Sequence, residues 1–329
     1  MSATSVIEPV DPRDEAVFLA CHAVYAAAHG EEWDRPYTAR ELRAELVEAG
    51  PYVDKLVVAA RDEAGTVVAM GWLEMPQRDN RSLGYVDVAV HPDHRRRGHG
   101  SRVLSALQGL AESAGRDTLF AEARWDVAQE GAGHTAFAEA HGFHRDMVDA
   151  QRVLTLPADL PEAPVQDGYA LQAWREECPE RWLEQHARLL SLIVQEAPSG
   201  DYPLENEYFD AARIRSDERL LMAQGRVMQT VAAESPDGEL VGHTQLVFSQ
   251  TDAENAYQWD TLVLPEHRGH GLGLSLKVAA MRAASDLLME RRFVHTYNAA
   301  RNGPMIAVND AMGYRLVAYV GEYIREAGT

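Results

Sequence analysis

The 329-residue chain repeats itself once, and no other feature constrains its fold as much. Laid over each other, the two halves keep a nearly constant frame: Gly71 falls on Gly242 at an offset of 171, Gly98 on Gly271 at 173 and Gly142 on Gly313 at 171. Between these anchors Asp87 matches Asp260, Pro92 matches Pro265, His94 matches His267, Arg95 matches Arg268, Gly100 matches Gly273 and Phe143 matches Tyr314. Solenoid repeats run to about 20–50 residues, so a period this long is a duplicated domain rather than an array. The break is expected near residue 163, because PADLPEAPVQD (157–167) combines three prolines with several acids and has no apolar periodicity. This divides the chain into an N-terminal domain, 1–160, and a C-terminal domain, 165–329.

Each half reads as a mixed α+β unit in the same order. In the first, 14–29 and 38–48 carry helical apolar spacing, and Thr38 can cap the second of these helices. Strands are expected at 56–60, 66–75 and 84–90, followed by a helix over 101–113, a strand at 118–125, a short helix over 135–140 and a closing strand at 151–156. The second half predicts helices at 180–196 and 205–215 and strands at 227–233, 239–248 and 257–264. A helix over 272–289, a strand at 293–298, a helix over 303–312 and a strand at 314–324 complete it. The fold class expected is α+β, with a mostly antiparallel sheet flanked by helices in each half.

The chemistry concentrates where a strand meets the long helix of each half. DVAVHPDHRRRGHGSRVL, from Asp87, and DTLVLPEHRGHGLGLSLK, from Asp260, share the pattern D-x-x-V-x-P-x-H-R-x-x-G-x-G. Glycines there let the backbone approach a ligand closely, and the first helical turn aims free N–H groups at one spot under the helix's positive end. That is an anion cradle, to which Arg95, Arg96, Arg97 and Arg268 add cations. A Walker loop would need G-x-x-x-x-G-K-S/T and a dinucleotide fingerprint a third glycine, and neither is present. The second copy keeps the glycines but only one arginine, so the glycines carry the signal.

Composition narrows the field. Lys and Arg number 31 against 51 Asp and Glu, a net charge of −20 that repels a nucleic-acid backbone and obliges any anionic ligand to find a local basic patch. Cys21 and Cys178 are too few for a disulfide framework, no leader pattern opens the chain, and no apolar run approaches about 18 residues. A cytoplasmic protein without membrane or nucleic-acid partners is expected, acting as a monomer or homodimer. Histidines 91, 94 and 99 near Asp93 read as a solvated cluster rather than a metal site.

Together with N-x-x-M-x-x-V-N-x-x-x-G-Y from Asn302 to Tyr314, the R-x-x-G-x-G loop resembles the GNAT superfamily of acetyl-CoA-dependent N-acetyltransferases. The two copies cover nearly the whole chain and resemble the mycothiol synthase-like arrangement of two GNAT domains. The resemblance implies acetyl-CoA as cosubstrate, no metal, and acetyl transfer to a primary amine by direct attack in a ternary complex. It implies that backbone groups of Leu262, Val263 and Leu264 hold the acetyl and pantetheine arm. Arg268, Gly269, His270, Gly271, Leu272, Gly273 and Leu274 would hold the pyrophosphate, with Asn298 and Asn302 on the cofactor beside the thiol. In the first half Val88, Ala89, Val90, Arg95, Arg96, Arg97, Gly98, His99, Gly100 and Ser101 would do the same.

The departures bear on catalysis. Family members often carry a tyrosine in L-Y-E-K-L-G-F as the acid for the leaving thiolate, and that position is Asn309 in one half and Ala138 in the other. Asn309 can hydrogen-bond the sulfur without yielding a proton. Tyr297, Tyr319 and Tyr323 are the tyrosines on neighbouring strands, and Tyr323 ranks first as the acid. The first half has Gly131 where the second has Asn302, so it is expected to be degenerate and the second catalytic. Asp260 sits where the family's strand aspartate holds or deprotonates the amine, with a strand-capping role weighing equally; Glu254 is the next base.

For the acceptor, Glu196, Asp201, Tyr202, Glu205, Glu207, Tyr208 and Asp210 cluster before the central strand, which itself carries Tyr257 and Trp259. The cluster suits a small cationic amine or, equally, a solvated helix start. Two further readings stay open: a non-catalytic acyl-CoA-binding module, and a mycothiol synthase-like acetylation of an aminosugar conjugate.

Overall fold

The computed structural model describes residues 5–128, 133–196 and 200–326. In chain order the strands are β1 (Val6–Val10), β2 (Val53–Arg61), β3 (Val67–Pro76), β4 (Leu83–Val90), β5 (Thr118–Asp126), β6 (His144–Thr155), β7 (Ala170–Arg175), β8 (Arg226–Glu234), β9 (Leu240–Ser249), β10 (Asn255–Val263), β11 (Phe293–Ala299) and β12 (Arg315–Glu326). The helices are α1 (Glu15–Ala28), α2 (Ala39–Val47), α3 (His99–Ser113), α4 (His134–Ala140), α5 (Leu183–Ser191), α6 (Ile193–Glu196), α7 (Ala211–Gln224), α8 (Leu272–Ala283), α9 (Ser285–Leu288) and α10 (Gly303–Ala311). Among the described residues no helix is long and apolar enough to cross a membrane.

The chain forms two compact units, one of Met1–Asp146 with Gly321–Thr329 and one of Met147–Val320. They do not coincide with the frame of the repeat. The end of β12 completes the sheet of the first unit beside β5, in the order β1-β2-β3-β4-β5-β12, and most of β6 belongs to the sheet of the second. There β6 runs antiparallel to β11 without interruption, from Thr155 opposite Phe293 to Asp149 opposite Ala299. Residues 157–167, expected as an exposed linker, therefore lie inside the second unit. Composition marked them as irregular, which they are, but the ladder formed by the preceding strand decides where they go.

Within the first unit the apolar run on β2 explains the layering. Successive side chains of a strand face opposite ways, so a continuous apolar run needs cover on both faces. Val58 and Ala60 pack with Val103, Leu104 and Leu107 of α3, whereas Val57 and Ala59 pack with Phe18, Cys21 and Val24 of α1. Asp14 caps α1 through its side chain, and Thr38 with Glu41 forms a capping box at α2. The second unit orders its strands β12-β6-β11-β10-β9-β8-β7 around a core containing Leu189, Ile214, Leu246, Phe248 and Leu276.

Several expectations need correcting. Edge strands β1 and β7 lay unread; they pair with β2 and β8, and their short sequences carry little alternation. The helix expected at 205–215 is α7, which starts at Ala211 behind an Asp210 cap, and 200–210 is irregular. The helix expected at 180–196 divides into a 3-10 turn, α5 and α6, and the one at 272–289 into α8 and α9. Gly71 lies opposite Val88, but Gly242 lies opposite Val263, and Thr244 is the residue opposite Thr261. At the constant offset of the loop glycines, Gly71 thus matches Thr244, and the two strand glycines are two residues out of step.

Candidate acyl-transfer sites

Each unit opens a cleft between two parallel strands. In the second, β10 pairs with β11 only as far as Gln258 opposite Thr296, after which β11 stays with β6 and β10 diverges. A register shift between Gln258 and Thr261 on the β9 side marks a bulge on β10, and Asp260 lies in it. In the first unit β4 leaves β5 after Tyr85 opposite Phe120. Its register with β3 is regular from Glu74–Tyr85 to Ala69–Val90, so the bulge belongs to the second copy.

Both cradles have the same backbone. Gly98 and Gly271 are the N-caps of α3 and α8, in the left-handed region at φ 88° and 71°, with no side chain bonded to the first-turn amides. The position two residues earlier is also left-handed in both, as Arg96 at φ 64° and Gly269 at φ 83°. That Arg96 holds this conformation, at a cost of about 1–2 kcal/mol, shows that the tertiary structure imposes the loop shape. An added Cβ on Gly269 or Gly271 would meet nothing within 4 Å, so the space over the second cradle is open to a ligand. Unclaimed amides under the positive end of α8 fit the pyrophosphate of acetyl-CoA.

The loop arginines act differently from the expectation. Arg268 donates from Nε to the Val263 carbonyl at 3.0 Å and pairs through Nη2 with Glu196 at 2.6 Å. Arg95 repeats this with Val90 O at 3.4 Å and Ala28 O at 2.9 Å. Both latch the loop to its strand. His270 bonds Gln166 at 2.6 Å, His267 bonds Tyr169 at 2.9 Å, and Ser275 reaches the Pro164 carbonyl at 3.3 Å, which lays the supposed linker along the cradle. Leu262, Leu264 and Leu272 bury their side chains in the core, with Val263 and Leu274 packed against it, so the side chains of these five are spent on packing. Gly273 has room beside Val308.

In the second unit, Asp260 is reached by solvent yet hemmed in by the cleft, and this burial, with Glu207 nearby, pushes its carboxyl up to about 6. Glu254 precedes β10, six residues from Asp260 and so about 20 Å along the strand, and pairs with Arg292 at 2.8 Å. It is not brought to the cleft. Asn302 spends its side chain on capping α10, accepting from Met305 N at 3.2 Å. Asn309 is fully buried; its Nδ2 donates to Asn298 Oδ1 at 3.0 Å and its Oδ1 accepts from Lys277 Nζ at 2.7 Å. Burial pushes the Lys277 ammonium down to about 7. Lys277 escaped the sequence reading, because on a helix it looks like an ordinary solvated lysine.

The first unit holds a cavity of about 600 Å³. Val88, Val90, Arg95, Arg96, Gly98, His99, Gly100 and Ser101 line it, and Ala89 faces the core instead. Arg97 is exposed, and Ser101 bonds His141 at 2.9 Å. Leu104 and Ala138 stand at the repeat positions of Lys277 and Asn309, and both wall the cavity. His29, Glu31, Asp34, Asp87, Arg124 and His134 add polar groups, and of these only Asp87 stands out in the sequence. Tyr323 also belongs to this wall and this unit, its Oη bonded to Thr135 Oγ1 at 2.8 Å. The tyrosine expected to serve Asp260 is thus in the other unit, because β12 crosses to it. Gly131 lies outside the described residues.

The family model for the Acetyltransferase (GNAT) family matches residues 18–143 and again 187–314. The chain belongs to the GNAT family. It is similar to the mycothiol acetyltransferase of Stackebrandtia nassauensis, 31% identical over 292 residues and 86% of both chains, and to that of Acidothermus cellulolyticus, 27% identical over 261 residues, 74% of this chain and 72% of that one. Among solved structures it resembles a tandem GNAT protein from the clavulanic acid biosynthesis pathway, with a TM-score of 0.82, 26% identity and 99% of each chain covered. This GNAT chain is a tandem-domain N-acetyltransferase of α+β fold, and acetyl-CoA is the donor its family uses.

Proposed function

We propose that this GNAT protein acetylates the primary amine of a small, positively charged acceptor, with the chemistry in the C-terminal domain. The observation that carries this reading is the place of Asp260, in a bulge of β10 where the strands part and directly before the cradle of α8. When bound, acetyl-CoA supplies the activated acetyl group and a thiol leaving group. The α8 amides hold the pyrophosphate, the backbone of Leu262 to Leu264 orients the arm, and the Asp260 carboxylate takes a proton from the acceptor's ammonium. A carboxyl near 6 is charged at neutral pH and still a competent base. Glu207, which is paired with Arg213, is close enough to Asp260 to raise its carboxyl further. Cys21 and Cys178 are both buried and unpaired, which suits a cytoplasmic enzyme.

A second reading draws on the relatives: several are named mycothiol acetyltransferase, so an aminosugar conjugate is the narrower candidate acceptor. The test is release of CoA thiol from acetyl-CoA across amino sugars, aminoglycosides, polyamines, amino acids and peptide N-termini. Release with one class identifies the acceptor. Silence across the panel with CoA still bound would favour the non-catalytic binding module.

A further inference from the structure

The first unit, expected to be degenerate, holds the groups an acyl-transfer site needs. Its cavity of about 600 Å³ has room for a pantetheine arm and a small acceptor. At one end stand the Gly98 cap and the uncapped first turn of α3. Along the diverging strand lies Asp87, the repeat partner of Asp260, and burial in the cleft pushes its carboxyl up while His29 pulls it down. Tyr323 backs the wall from the core, fully buried, its phenol hydrogen-bonded to the Thr135 hydroxyl at 2.8 Å. Ala138, at the family's tyrosine position, leaves open the space that Asn309 fills in the other unit.

We propose that the first unit is a second acyl-transfer centre, in which Tyr323, delivered by the exchanged strand, protonates the leaving sulfur and Asp87 takes the proton of a cationic primary amine. The proposal rests on the reading that the chain uses an acyl-CoA donor. The amine nitrogen bonds to the acyl carbon as the carbon–sulfur bond breaks. Of the two protons the ammonium loses, one goes to Asp87 and on to solvent, and the other is balanced by the proton Tyr323 Oη gives the sulfur before recovering it. Glu31 and Asp34 on the same wall favour a positively charged acceptor, although Asp34 pairs with Arg124 at 3.1 Å.

The first test counts sites by calorimetry with CoA and with desulfo-CoA, which lacks the sulfur. Wild type should bind two CoA per chain and Gly271→Asp one. That remaining site should favour CoA over desulfo-CoA by about fivefold, as a hydrogen bond to sulfur of about 1 kcal/mol gives. Adding Tyr323→Phe, which keeps the ring's packing, should erase the preference and leave desulfo-CoA affinity as it was. With spermidine as acceptor, thiol release should persist in Gly271→Asp and fall at least tenfold when Tyr323→Phe is added. A Gly271→Asp protein that binds no CoA, a preference that survives Tyr323→Phe, or loss of all thiol release in Gly271→Asp overturns the proposal. Thiol release wholly unaffected by Gly271→Asp, by contrast, removes the C-terminal reading and leaves this one standing.

Discussion

Lys277 Nζ donates to Asn309 Oδ1 across 2.7 Å inside the second unit, with Lys277 only 1% exposed and Asn309 fully buried. The amine has the Tyr314 ring at 5.5 Å as a further neighbour, and its shift comes from burial alone. Its amine titrates near 7 in the folded protein and at about 10.4 in an unfolded chain. Between those values the unfolded state binds the extra proton, so wild-type stability should rise with pH from about 7 toward 10. Lys277→Met should lose that slope; both Lys277→Met and Lys277→Ala strand the buried Asn309 Oδ1, at about 1–3 kcal/mol, and Ala, which also opens a cavity, should melt below Met. Melting curves across pH 6.5–10 check both; a Met variant with an unchanged slope would refute the assignment.

Asp260→Asn is expected to lower the rate more than CoA affinity. Its folded carboxyl near 6 lies above the unfolded value, so the folded state holds the extra proton between about 4 and 6, and wild-type stability from this group declines as pH rises through that window. Asn, neutral at every pH, should therefore be at least as stable as wild type at about pH 7.5 while removing the limb of the pH–rate profile near 6. A profile that keeps that limb takes Asp260 off the list of bases.

Gly271 separates shape from charge in the cradle. At φ 71° and with open space around its Cβ position, Gly271→Ala should cost about 1–2 kcal/mol of local strain and little else, whereas Gly271→Asp sets a negative charge against the pyrophosphate. Calorimetry should find CoA bound at the second unit at least tenfold more weakly in the Asp variant than in the Ala variant. Equal losses would mean that strain alone explains them.

Gly71 tests close packing on the other side. A Cβ there would lie 2.4 Å from the Asp87 carbonyl and 2.8 Å from Val103, so Gly71→Ala must move β4. A loss of about 1–3 kcal/mol or more in urea unfolding is expected. Gly242→Ala should behave similarly, because its Cβ would come 2.7 Å from the Leu262 carbonyl.

His186 and His243 face each other at 3.1 Å, wholly buried, and burial pushes the first down to about 4 and the second well below its ordinary value. His186 therefore takes up its proton only on unfolding between about 4 and 6.5, and His243, also held neutral in the fold, adds to the same trend, so stability should fall as pH drops below about 6.5. Replacing both with apolar residues should flatten the fall, measured as urea midpoints at pH 7, 6, 5 and 4.5.

The repeat, the two helix-capping glycines and the order of elements were legible in the chain because they are local: αL positions, turn dipeptides and apolar periodicity all act within a few residues. Asp260 and the second glycine cradle, both legible in the chain, lie together where β10 parts from β11. Glu254, just before the start of the same strand, lies away from the cleft, since one-dimensional closeness says nothing about distance along an extended segment. Asn302, a cap, and Arg268, a latch, show the same gap between residue type and where the side chain is spent.

By itself, then, the sequence determined two GNAT-like α+β repeats, each with a glycine cradle at the N-terminus of a long helix, because short-range sterics and amide geometry leave that segment little alternative. Only the tertiary structure decided which unit receives each closing strand. Strand pairing is a contest between distant segments of similar apolar character, settled by register and burial rather than by local propensity. That contest placed Tyr323 beside the cradle of the first unit and left Lys277 to fill the second.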